Sequence, residues 1–358
     1  ITVHDNQLSA PGYNAIAGIG IVYTQNAVVS RNIITGYYSG IEIWGGDANA
    51  NGGILNTRWD KNITLSANIG YANGAAGSNG GVFWTSMCEG CTETGNISYG
   101  AGDVGIDNEG SFAVSASGNY VYGAYHAAYG QFFYSRDITW SGNTAIMTAP
   151  TQACFEVWNG AQDLTPFDLN FSGNNCWNQG TGIASAGTIN GSVDDLRMSA
   201  NNFRNVALDL SSTNMHRALI EGNVFTFTQS HAGPLYAILA SGFNATDAGG
   251  SHLSIAHNQI FSDAAQPSGS AAIYISHGDP NEPMRVSITG NDISGSSPFP
   301  TDVALHESST NLQAIYAKIE MNTFAVPLVT KTIDSGNGAI NTYYLGNVSL
   351  ALTSYTGP

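Results

Sequence analysis

The sequence predicts an all-β chain, a right-handed parallel β-helix of about 12 coils with three short strands per coil. Three observations carry that prediction. The first is composition. Gly accounts for 43 of 358 residues and only 10% of residues are charged. Asn, Ser and Thr abound while the helix-favouring Glu and Lys are scarce, which suits short strands joined by many turns. The second is a recurring Asn. The third is a second apolar–polar strand that follows each Asn by some 8 to 15 residues.

The repeat runs from end to end. An apolar–polar alternation, a small residue and then Asn recur at Asn6, Asn32, Asn68, Asn96, Asn119 and Asn143, and again at Asn174, Asn201, Asn223, Asn258, Asn291 and Asn322. Successive Asn residues lie 22 to 36 apart. That is the length of one solenoid coil of three strands and their turns. Asn at a fixed turn has a reason. It tolerates the left-handed conformation of a sharp bend, and its amide bonds to the Asn above and below. A two-sheet sandwich would show short strands without a fixed Asn once per coil.

The second strands stack as Gly40-Ile-Glu42-Ile-Trp44, Gly80-Gly-Val82-Phe-Trp84, Gly105-Ile-Asp107-Asn-Glu109, Gln131-Phe132-Phe-Tyr134 and Cys154-Phe-Glu156-Val-Trp158. With Ile41, Ile43, Phe83, Ile106, Phe133, Phe155 and Val157 inward, two outward columns are expected. One is Glu42, Val82, Asp107, Phe132, Glu156. The other is Trp44, Trp84, Glu109, Tyr134, Trp158. This register turns Asn108 inward, against its polarity. The acids gather at Gly102 to Ser111, with Asp103, Asp107 and Glu109 inside seven residues. Side chains two apart on a strand share a face, roughly 6–7 Å apart, a spacing at which two acids can work on one bond. Asp107 and Glu156, two coils apart, stand about 9–10 Å from each other.

The pattern resembles the secreted pectin-lyase-like superfamily of right-handed β-helix proteins, many of which act on polysaccharides. The resemblance implies a fold and a substrate class, not a reaction. On it rests the expectation of a secreted enzyme that cleaves glycosidic bonds in a groove on the β-helix side. The expected catalytic residues are Asp107, Glu109, Glu156 and Asp103, with Glu109 as acid and Asp107 or Glu156 as base. Glu42, Trp44, Trp84, His126, Tyr134 and Trp158 are expected to bind the sugar, rings stacking on pyranose faces and carboxylates holding hydroxyls. Two alternatives stay open. One is a polysaccharide lyase or uronate epimerase, although no counterpart of the alginate epimerases' Asp-Pro-His motif is found. The other is a non-catalytic glycan-binding β-helix, such as an adhesin or spike.

Charge narrows the partners. With a formal net charge of −16 and ten Lys and Arg, the chain suits neither nucleic acid nor an anionic membrane, and a polyanionic substrate only poorly. No apolar run is long enough to span a bilayer. A monomer is expected. No cofactor is required. Asp47, Asn49 and Asn51, followed by Gly52, match the first half of a Ca²⁺ loop, with Arg58 where Glu is wanted and Asp60 as a substitute. An Asn/Gly-rich turn explains the same residues. Cys88 and Cys91 form a small loop disulfide or stay free; Cys154 and Cys176 pair if neighbouring turns bring them together. One domain is expected over 1–358, with a cap or further coils upstream of Ile1 and Tyr343 to Pro358 covering the far end.

Overall fold

Every coil alternates side chains that enter a dry interior with side chains that leave it. The computed structural model describes residues 1–349 apart from 14, 48–59, 79–80, 159–166, 191, 212–213, 216, 242–250, 278–282, 309–313, 327–328 and 334–338. All its elements are strands, and every pairing between them is parallel. The chain is a right-handed parallel β-helix. Among the described residues no helix is long and apolar enough to cross a membrane.

Contacts divide the chain into two units, Ile1–Gly180 and Thr181–Pro358. In the first, one sheet runs from Thr2–His4 through Val28–Ser30, Thr64–Ser66, Thr92–Thr94, Phe112–Ser117 and Arg136–Ser141 to Phe167–Ser172. A second sheet comprises Ala17–Val22, Ser39–Trp44, Phe83–Ser86, Val104–Glu109, Ala127–Phe132 and Ala153–Trp158. A third runs from Gln7–Ser9 to Asn175–Asn178. The second unit repeats the plan, with sheets running from Ser192–Ser199 to Ala339–Leu345, Ala184–Asn190 to Val329–Ile333 and Asn202–Arg204 to Val348–Ser349.

The inward column of the second sheet reads Ile41, Phe83, Ile106, Tyr129, Phe155, all buried. Each such side chain contributes about 1.5–3 kcal/mol by leaving water. Tyr129 stays inside because its hydroxyl donates to the Thr144 carbonyl at 2.7 Å. Both cysteine pairs are disulfides, Cys88–Cys91 and Cys154–Cys176.

The Asn ladder is present, with a corrected mechanism. In the first unit Asn6, Asn32, Asn68, Asn96, Asn119, Asn143 and Asn174 are linked amide to amide at 2.9–3.1 Å. Each interior amide also donates to a backbone carbonyl one coil back, as Asn143 does to Ala116 at 3.0 Å. The left-handed residue is not Asn but the one before it: Gly95, Gly118, Gly142 and Gly173 have φ of 62–64°. Asn is there for its amide, which answers buried backbone groups at the bend. In the second unit the ladder runs from Asn201 to Asn347. Asn347 extends the repeat beyond its expected end, so Tyr343 belongs to a further strand, Ala339–Leu345, rather than to a cap. Residues 350–358 lie outside the described residues.

Candidate active site

Strand pairing in the second sheet sets the outward columns. Glu42 pairs with Trp84, Trp84 with Asp107, Asp107 with Gly130, and Gly130 with Glu156. The neighbouring column runs Trp44, Ser86, Glu109, Phe132, Trp158. Asp107 and Glu109 therefore share the outward face, as their strand position requires, and Asn108 turns inward.

Three expected neighbours move. Trp84, not Val82, pairs with Glu42, so Trp84 joins the column of Glu42 and Asp107, and Val82 is buried. Phe132 closes its strand beside Glu109. Phe133 takes a left-handed φ of 58° and packs on Met87 in the turn. Tyr134 lies past that turn, packed on the same cluster, its ring centre 5.4 Å from the Arg136 guanidinium. Tyr134 is thus not a member of the outward column. Counting aromatics back from the strand end misplaced both, because the chain bends at Phe133.

The resulting trough has aromatic walls and an acidic floor. Trp44 meets Trp84 edge to face at 5.3 Å, and Trp158 meets Phe132 likewise at 6.5 Å. Gly130 matters between Asp107 and Glu156. A Cβ there would stand 2.4 Å from Cε2 of Phe132, so only glycine lets that ring lie across the rung. Phe132 then forms an apolar patch between two carboxylates, where a sugar face can rest.

Burial sets the charge states. Asp107 is only 5% exposed and its Oδ1 has no hydrogen-bond partner. Burial, then the charges of Glu109, Asp103, Glu156 and Glu93, push its carboxyl well above the ordinary range. Burial also pushes Glu109 up to about 8, helped by Asp47, Asp103 and Glu42 and opposed by the Trp84 indole N–H. Trp84 Nε1 is itself buried. Glu156 is raised by burial, but His126 pulls it back down. Asp103 is raised by burial against the pull of His126, whose Nδ1 lies 2.5 Å from its Oδ1. Burial alone raises Glu42. Glu109 therefore holds its proton at neutral pH, while Glu156 has a histidine beside it that favours its ionised form.

A residue missed in the sequence sits directly beneath. Glu93 is fully buried inside the coil, accepting from Thr85 Oγ1 at 2.7 Å and from Asn108 Nδ2 at 3.1 Å. The Asn108 Nδ2 thereby finds a partner inside, and the strand that carries Asp107 and Glu109 is pinned. The signal was legible: Glu93 pairs with Leu65 on one side and Ala116 on the other, the one acid in an apolar column. Burial pushes Glu93 from 4.5 up to about 7. Between those values the folded chain keeps a proton that the unfolded chain releases. Its stabilising contribution is complete below pH 4.5 and fades as pH rises through 7. The chain should melt higher at pH 5 than at pH 8. Glu93→Gln should flatten that difference by about 3 kcal/mol, at 1.36 kcal/mol per pH unit; melting at both pH values checks it.

The remaining expectations divide. Asp47 is exposed, and Asn49, Asn51, Gly52 and Arg58 lie outside the described residues. Asp60 is buried and its Oδ1 accepts the Thr24 backbone N–H. Among the described residues, no group of three or more His, Cys, Asp or Glu is placed to hold a metal ion.

No family model and no curated protein matches the chain. Solved structures share the coil architecture only. A Yersinia enterocolitica family 28 exopolygalacturonase is 11% identical with a TM-score of 0.44, over 89% of this chain and 60% of its own. An alginate lyase from Paenibacillus is 11% identical with a TM-score of 0.40, over 95% of this chain and 99% of its own. The catalytic domain of a GH87 α-1,3-glucanase in complex with nigerose is 11% identical with a TM-score of 0.42, over 97% of this chain and 64% of its own. This chain thus spans less than two thirds of the first and third of those proteins. The trough itself, not these likenesses, carries the functional reading.

Proposed function

We propose that the chain is a carbohydrate-active enzyme that hydrolyses glycosidic bonds of a polysaccharide lying in the trough. The observation that carries the reading is the pair of Asp107, buried, and Glu109, half-buried, side by side on the outward face between Trp84 and Phe132. Hydrolysis needs a protonated acid at the leaving oxygen. Burial pushes Glu109 up to about 8, so Glu109 carries its proton at neutral pH and donates it, with Asp107 beside it. The second requirement is a carboxylate that activates water. Glu156, two rungs from Asp107 and supported by His126, takes that role. Two rungs are about 9–10 Å of backbone, which leaves space for water between the groups and fits inversion rather than retention. The two disulfides support a place outside the cytosol.

A second reading has an observation of its own. His126, oriented by Asp103, could serve as the base of a β-elimination on a uronate. That chemistry also needs a positive partner for the sugar carboxylate, and the trough has none among the described residues. One assay separates the readings. The chain is incubated with neutral, amino-sugar and uronic acid polysaccharides, and reducing ends are followed together with the ultraviolet absorbance of an unsaturated product. Reducing ends without the absorbance are expected. Absorbance in step with cleavage would establish elimination, and no cleavage of any glycan would leave a binding protein.

A further inference from the structure

Hydrolysis uses two carboxyl groups, and this trough holds five: Glu42, Asp103, Asp107, Glu109 and Glu156. The charges that shift them are one another's, those of Asp47 and Glu93, and His126. Two described cations of the adjoining sheet are engaged there: Lys61 pairs with Glu89, and Arg136 lies over the Phe112 ring at 4.6 Å. Three of the carboxylates have a regular spacing. Glu42, Asp107 and Glu156 occupy every second rung of one column, separated by Trp84 and Gly130. A further observation points to a ligand. Asp107, on this outward-facing column and 95% withdrawn from solvent, leaves its Oδ1 without a hydrogen-bond partner. Buried polar atoms are rarely left so unless something else answers them.

We propose that the trough takes a β-1,4-linked amino sugar polymer laid along the coil axis, its free ammonium groups paired with Glu42, Asp107 and Glu156. In such a polymer alternate residues turn over, so amines along one edge recur at every second sugar. A rung of about 4.8 Å is comparable to one sugar residue, so every second amine meets every second rung. The ring faces between them rest on Trp84 and on Phe132 where it crosses Gly130. An ammonium relieves the mutual repulsion of the carboxylates, whereas a uronate adds to it. The inference rests on the site of the hydrolase reading and names what that site holds.

Binding is tested apart from cleavage. Glu109→Gln, which keeps all three column carboxylates, is titrated calorimetrically with a β-1,4-glucosamine hexamer, its fully N-acetylated counterpart and a galacturonate hexamer. The glucosamine hexamer should bind at least ten-fold more tightly than the acetylated one, and the galacturonate should not bind. Adding Glu42→Gln and Glu156→Gln to the same chain should weaken glucosamine binding at least ten-fold, with melting used to confirm that the variant is folded. Equal affinity for the acetylated hexamer, or binding of the galacturonate, overturns the proposal. So does undiminished glucosamine binding in the triple variant, which would assign the attraction to the chain's overall charge of −16. The two readings fail separately. Binding as described without wild-type cleavage removes the hydrolase alone; cleavage of a neutral glycan without this binding pattern removes the amino sugar alone.

Discussion

Glu109→Gln and Asp107→Asn are each expected to cost the enzyme on the order of 10²–10⁴ in glycan cleavage, the usual contribution of general acid–base catalysis, without lowering its melting temperature. The second half of that expectation is the diagnostic one. Both carboxyls are raised by burial. An acid whose folded pKa lies above its unfolded value stabilises only while protonated, so above its ordinary range it costs stability. The amide variants therefore lose a liability, and at pH 8 they should melt at or above the wild type. The pH profile adds a further check. The donor works protonated, so wild-type cleavage should fall as pH rises past about 8, where Glu109 ionises. The acid limb belongs to Glu156, which must be ionised to activate water. Reducing-end rates from pH 4 to 9 test both limbs. Full activity in either amide variant would rule out the acid assignment.

The largest stability loss is expected far from any chemistry. Asn143→Ala should cost about 3–5 kcal/mol, the range for breaking a buried hydrogen-bond network. Asn143 is fully buried. Its amide donates to the Ala116 carbonyl and to Asn174 Oδ1, both at 3.0 Å. Its Oδ1 accepts from the backbone and side-chain N–H groups of Asn119 at 2.9 and 3.0 Å. Alanine leaves those groups without partners in a dry interior. Because each coil rests on its neighbours, the damage should be local: amide exchange should accelerate around residues 116–121 and 143–147 before the rest of the first unit. Ser115→Ala, on the exposed face of the same sheet, should change stability by less than about 0.5 kcal/mol. Denaturant midpoints of the two variants make the comparison, and similar losses in both would show that the ladder is dispensable.

Much of the site was legible because strand alternation is a local rule. Ile106 and Asn108 go in, so Asp107 and Glu109 come out, whatever stands above and below. The neighbours were less legible. Trp84 and Phe132 each fell in the wrong column, and Tyr134 left the trough, because a coil's register depends on how many residues its turn consumes. The left-handed bend at Phe133 consumes two that sequence counting assigned to the strand. Glu93 was missed for another reason. It stands three residues before a ladder Asn, where Leu65 and Ala116 stand in the adjacent coils. The mismatch was visible in the repeat, but nothing in the sequence placed a threonine and an asparagine around an acid there.

The sequence by itself determined the coil. An Asn every 22 to 36 residues and an apolar–polar alternation between them suffice, because stacking, amide ladders and the two-residue strand period are properties of short segments. Only the tertiary structure decided which side chains share a rung: Trp84 against Asp107, Gly130 beneath Phe132, Glu93 behind Asn108. Those pairings join residues a whole coil apart. They follow from the length and conformation of the intervening turns, which the packing of neighbouring coils selects and no local pattern encodes.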